Sequence, residues 1–152
     1  MAAANSYRGA YRGAEASRHA PEAVADIVAL ADAGAPVAGF IRETVFGNTG
    51  GVLLPDGYLA QVYETVRAHG GLTIADEVQV GYGQLGDWFW GFQQQGVIPD
   101  IVAAAKSIGA GQPIGAVITR RDIADRYRTH GPLPPKRTFT LGNLVDMFLE
   151  GV

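Results

Sequence analysis

The chain has no cysteine, so a disulfide framework and a thiolate metal site are both excluded. Lysine is scarce, and Lys106 and Lys136 are the two that occur. The histidines His19, His69 and His130 stand alone, and no metal-ligand spacing links them. The formal net charge is −3 and no basic cluster is longer than two or three residues, which argues against nucleic acid as a partner. No apolar run approaches the length that spans a bilayer, so no membrane partner is expected. The opening stretch, MAAANSYRGAYRG, lacks the continuous apolar core of a signal peptide. A reducing, cytoplasmic setting is the default expectation.

What is present is globular in composition. Of 152 residues, 47% are hydrophobic and 18% charged, enough for one domain with a sizeable core. The 21 glycines follow no period and punctuate apolar runs instead. PEAVADIVALADAG reads as a helix opened by Pro21 and ended by Gly34. VAGFIRE (37–43) is a β-rich apolar run, and FGNTGGVLLPDG is a glycine-rich loop. Asp56 is placed to cap the helix GYLAQVYETVRAHG, which Gly70 and Gly71 terminate. LTIADEV (72–78) is the next buried strand. A loop with an aromatic-rich short helix follows, then strands IVAAA (101–105) and IGAVIT (114–119), then the helix RRDIADRYRTH. Continuous apolar strands alternating with helices indicate an α/β fold with a mostly parallel sheet flanked by helices. The link between the last two strands is too short for a parallel crossover, so one strand should be antiparallel.

Lys106 follows IVAAA directly, at the carboxyl end of a buried strand, where open α/β sheets place their ligands. Taken alone, it reads first as a side chain snorkelling out of a strand end. Asp76 and Glu77 end LTIADEV in the same way, and alone they read as a strand-end turn or a cap. Together they carry more. Parallel neighbouring strands would bring an amine and a carboxylate to one crevice, the arrangement that pyridoxal 5'-phosphate (PLP) chemistry requires. The lysine must spend time unprotonated to attack an aldehyde, which partial burial would favour. The carboxylate keeps the pyridine nitrogen protonated. A rival lies in Gly109, Gly111 and Gly115, a run suggestive of dinucleotide binding. Those glycines lead into a strand, whereas the fingerprint must open a helix. A nucleophile elbow for Ser/His/Asp hydrolysis is also lacking.

The ordered run IADEVQVGYGQLGDWFWGFQQQGVIPDIVAAAKSIGAGQPIGAVITRRDIA resembles the signature region of class III aminotransferases. The NSYRG and LLPDGYL segments are similar to the subgroup around alanine–glyoxylate aminotransferases and amino-alcohol phospho-lyases. The likeness runs over about residues 5–127. It implies that residues 1–127 form part of the large domain of a fold type I PLP enzyme. Residues 128–152 would be a divergent tail whose natural continuation is missing.

By resemblance, Lys106 is the Schiff-base lysine and proton shuttle, and Asp76 the partner of the pyridine nitrogen. Val78 packs on the ring and Gln79 bonds its phenolic oxygen. Glu43 engages a substrate-side arginine. Thr140, or Thr138 in the other register, reaches the cofactor phosphate of the neighbouring subunit of a homodimer. Two positions depart from the family pattern: Thr44 stands where Pro is usual, and Gln84 where Arg is usual. The activity implied is transfer of an amino group from an amino acid or amine to a keto acid or aldehyde. The alternatives are a phospho-lyase acting on an amino-alcohol phosphate, or an inactive fragment. The family's upstream phosphate-cradling loop and its C-terminal small domain have no counterpart here. Poor PLP binding by the chain alone is therefore expected.

Overall fold

The computed structural model describes residues 3–130 except residue 49. Helix α1 (His19–Asp32) holds Pro21 within its first turn, where a missing N–H leaves no bond unmade. Gly34, at φ 75°, takes the left-handed position just past its end. His19, Ala20, Ala23 and Ile27 recur on one face of α1 and are buried. Strand β1 (Gly39–Glu43) follows.

The glycine-rich stretch expected to be a plain loop contains a small antiparallel hairpin, β2 (Val45–Phe46) with β3 (Val52–Leu53). Strands of two residues are too short to show alternation in sequence. Helix α2 (Tyr58–Ala68) buries Tyr58, Leu59, Val62, Tyr63 and Val66. Its N-cap is Gly57 in the left-handed region, with no side-chain cap, so Asp56 does not cap the helix. Gly57 turns the chain at φ 71°, where a side chain is disfavoured.

Strands β4 (Leu72–Asp76), β5 (Ile101–Ala104) and β6 (Ala116–Thr119) complete one sheet in the order β1-β4-β5-β6. β1–β4 and β4–β5 are parallel, and β5–β6 is antiparallel, as the short connection requires. Helix α3 (Arg121–His130) follows β6. The expected strands are trimmed: the strand predicted over 72–78 ends at Asp76, and that over 114–119 begins at Ala116. The chain already turns at Glu77, whose carbonyl accepts the Gly81 N–H at 2.9 Å.

Register sets the two faces of the sheet. Phe40 packs with the buried faces of α1 and α2 in the main core. Ala75 and Val102 pack against Phe92 of a short 3₁₀ helix, Gly91–Gln95. Ile41 lies on the opposite face and is exposed.

Candidate active site

Parallel register places Glu43 opposite Asp76 and Asp76 opposite Ala103. The carboxyl ends of β1, β4 and β5 therefore form one rim, and Lys106 lies two residues past the end of β5. Predicted residues Glu43, Asp76 and Lys106 are thus carried by three adjacent strand ends, as an open α/β sheet places a ligand site.

Asp76 is half-buried, and its Oδ1 accepts the Val78 N–H at 3.1 Å. Among the described residues no side-chain cation pairs with it. Val78 and Gln79 are half-buried on the same turn. The Gln79 Nε2 donates to Asn48 Oδ1 in the β2–β3 turn. Gly47 in that turn lies so close that an added Cβ would meet Gln79 Cβ at 2.8 Å. The hairpin that sequence reasoning missed is thus what holds Gln79. Glu43 Oε2 accepts the Gly47 N–H at 2.8 Å, and no arginine among the described residues bonds Glu43. Thr138 and Thr140 lie outside the described residues.

Lys106 has φ 51°, in the left-handed region that non-glycine residues rarely adopt. Such a conformation costs about 1–2 kcal/mol and must be held by its surroundings. The expectation of partial burial is not met, because the chain turns sharply past β5 and Lys106 is exposed. Ser107 follows it, and its Oγ accepts a hydrogen bond from Gln84 Nε2 at 2.8 Å.

Glu77 has a role that the sequence did not reveal. It is 1% exposed. Its Oε1 accepts the Thr44 hydroxyl at 3.0 Å and the Phe92 N–H at 2.9 Å, and its Oε2 accepts the Gly91 N–H at 2.8 Å. Burial pushes the Glu77 carboxyl above the ordinary glutamate range. The donated bonds from Gly91, Phe92 and Thr44 oppose that rise, and the charge of Asp76 adds to it. Thr44, at the position where proline is usual, is therefore one of this carboxylate's donors. Glu77 joins the end of β1, the end of β4 and the start of the 3₁₀ helix.

The loop between Gly81 and Gly91 is stiffened by edge-packed rings. Tyr82 and Phe89 each lie 5.0 Å from Trp90 between ring centroids.

A second buried knot lies at the opposite end of the strands. Asp100 accepts bonds from the Thr73 N–H at 2.9 Å, the Thr73 hydroxyl at 2.7 Å, Arg67 at 3.1 Å and Arg120 at 2.6 Å. Burial alone would raise its carboxyl, but the Thr73 and Arg67 contacts outweigh it and hold the pKa at about 2. This knot is distant in register from the rim and serves the fold.

A mostly parallel α/β sheet with an acid and a lysine at neighbouring strand ends defines a candidate cofactor-dependent enzyme of the open-sheet class. The family described as aminotransferase class-III matches residues 2–149, and the chain belongs to that family. It is 49% identical over 98 residues to alanine–glyoxylate aminotransferase 2-like of Drosophila melanogaster, covering 64% of this chain and 20% of that protein. It is 54% identical over 88 residues to the mitochondrial alanine–glyoxylate aminotransferase 2 of Homo sapiens, covering 58% of this chain and 17% of that one. Among solved structures, a phospholyase from Arthrobacter in complex with phosphoethanolamine superposes with a TM-score of 0.68. It is 39% identical and shares 75% of this chain and 27% of its own. The chain spans about a fifth of the length of these curated relatives. Its sheet and helices are those of fold type I aminotransferases.

Proposed function

We propose that this chain carries the cofactor-binding rim of a PLP-dependent aminotransferase that moves an amino group from an amino acid or amine to a keto acid or aldehyde. The observation that carries the reading is the parallel pairing of β4 with β5, which sets Asp76 and Lys106 at adjacent strand ends. The residues fit the group. Asp76 offers a half-buried carboxylate with no protein cation on it among the described residues, and Lys106 offers an exposed primary amine. When bound, PLP supplies an electron sink for charge that develops on the substrate carbon.

The chain's own residues do the rest. The Asp76 carboxylate would keep a proton on the ring nitrogen, an ion pair that strengthens as water leaves the site. Lys106 Nζ would hold the cofactor and would take up and return a proton at the substrate carbon. Val78 would lie against the ring. Gln79 has two amide N–H donors, and Asn48 takes one of them, so one remains for the ring oxygen. Glu43 keeps Oε1 available for a substrate-side arginine, because Oε2 is engaged by Gly47. Thr140 is assigned to the phosphate of a neighbouring subunit, in a homodimer. On this reading residues 1–127 are part of the PLP-binding large domain.

A second reading, elimination of phosphate from an amino-alcohol phosphate, is favoured by the likeness to the Arthrobacter phospholyase. It uses the same rim.

Both readings are tested by incubating the protein with millimolar PLP, reducing with borohydride and mapping the adduct. Two lysines make the map simple. The expected label is on Lys106 in clear excess over Lys136. Equal labelling of the two would overturn the assignment. Assay of the protein with an amino-alcohol phosphate then separates the readings, since phosphate release marks the lyase and amino transfer without it marks the transaminase.

A further inference from the structure

We infer that Gln84 is a positioning residue for Lys106, acting through Ser107; the inference rests on Lys106 being the cofactor lysine. Lys106 sits where the sheet no longer controls the backbone. The last bond that continues the β4–β5 pairing is Glu77 N–H to the Ala103 carbonyl, at 2.8 Å. Beyond it the turn bonds mainly to itself, with Ile108 N–H to Ala105 at 3.4 Å, Ala110 N–H to Ser107 at 3.3 Å and, further along, Gln112 N–H to Gly109 at 2.9 Å. The two bonds that flank Lys106 and Ser107 are long. Yet this turn holds two of the three non-glycine residues with positive φ among the described residues, Lys106 and Ala110. Two left-handed residues in a turn whose bonds nearest Lys106 are long need an outside tie. Among the described residues, the Gln84–Ser107 bond is the one hydrogen bond that joins residues 106–111 to a segment distant in sequence.

A tie is useful only if its far end is fixed, and this one is. The Gly81 N–H bonds to the Glu77 carbonyl at 2.9 Å, and Gly83 N–H bonds to Phe89 at 3.0 Å. Gly81 has no room for a side chain: a Cβ would meet the Glu77 carbonyl at 2.9 Å and Trp90 Cζ3 at 3.0 Å. Tyr82, the third non-glycine residue with positive φ among those described, gives the loop a tight bend two residues before Gln84. At its other end the loop closes on the buried Glu77 carboxylate through Gly91 and Phe92. Glu77 is the neighbour of Asp76. A continuous tie therefore runs from Asp76 through Glu77, the loop and Gln84 to Ser107 and Lys106. It sets the spacing of acid and amine where strand pairing has ended.

The test compares wild type, Gln84→Ala, Ser107→Ala, the double variant and Gln84→Glu. Gln84 is exposed and Ser107 half-buried, so all should keep the fold, which the unfolding midpoint verifies. The first readout is the NMR signature of Lys106, its HN–Hα coupling and ¹³Cα shift, which report left-handed backbone without any cofactor. The second is the rate at which Lys106 captures PLP under borohydride. Either alanine variant should move the Lys106 signature and slow capture about fivefold, the scale of one lost hydrogen bond. The double variant should be no worse than either single one, because both act through one bond. Gln84→Glu should restore both readouts, its carboxylate accepting the Ser107 hydroxyl. An unchanged Lys106 signature in Gln84→Ala, fully additive effects, or no rescue by Glu overturns the proposal. If wild type captures no PLP at Lys106 while the signature still moves with Gln84, the cofactor reading fails and the positioning of Lys106 stands.

Discussion

Gly91 shows how closely single residues are set around the rim. Its Cα lies against the Glu77 carboxylate and the Thr44 hydroxyl. An added Cβ would collide with Thr44 Oγ1, meet Val80 Cγ2 at 2.9 Å and lie 3.2 Å from Glu77 Oε2. Its φ is not in the left-handed region, so the constraint is contact and not backbone strain. Gly91→Ala should therefore destabilise the protein by about 1–3 kcal/mol through overpacking. Chemical denaturation measures this, and a midpoint equal to wild type would show that the loop can move aside. Glu77 cannot shift freely to make room, because three donors hold its carboxylate. The sequence offered no sign of this. The pair Asp76–Glu77 looks like two similar acids at a strand end, yet β4 ends at Asp76 and the turn that begins at Glu77 sends the second acid to different surroundings. One is half-buried at the rim and the other is sealed beneath it. Nothing local distinguishes a rim acid from a buried one. The donors of Glu77 come from 33, 14 and 15 residues away.

Among the elements, legibility followed periodicity and length. The three helices and the four strands of the main sheet were readable, because apolar runs and glycine stops are local signals. The antiparallel β5–β6 pair was readable from loop length alone. The β2–β3 hairpin and the glycine N-cap of α2 were not, since each rests on a turn too short to carry a periodic signal. The Asp100 knot was equally hidden, although it joins α2, β4 and the start of α3 through Arg67, Thr73 and Arg120. Its energetics give a pH prediction. A carboxyl held at about 2, against an ordinary aspartate value of 3.8, contributes stability that is full above the ordinary value. That stability is lost as pH falls from about 4 toward 2, and it amounts to about 2 kcal/mol. Asp100→Asn should lower stability by roughly that amount at neutral pH and flatten the acid limb of the stability curve. Thermal unfolding from pH 7 down to pH 2 would check it, and an acid limb as steep as that of wild type would locate the effect elsewhere.

On the scale of the whole molecule, the residues that hold the fold and those proposed to do chemistry are different sets. Glu77 and Asp100 are buried and fully engaged, whereas Asp76 and Lys106 sit on the rim with few protein partners. Asp76 and Lys106 can therefore be changed without loosening the core. Lys106 goes further, because its left-handed backbone works against stability. Lys106→Gly removes the Cβ that makes φ 51° unfavourable, at the cost of extra freedom in the unfolded chain. The relief of about 1–2 kcal/mol should exceed that cost of about 0.5–1 kcal/mol, so the glycine variant should unfold at an equal or higher denaturant concentration than wild type. Lys106→Ala keeps the Cβ and should show no such gain. Both variants should lose capture of PLP at this position entirely. The comparison separates backbone strain from the amine itself. A glycine variant clearly less stable than the alanine one would mean that the left-handed turn at Lys106 carries no strain to release.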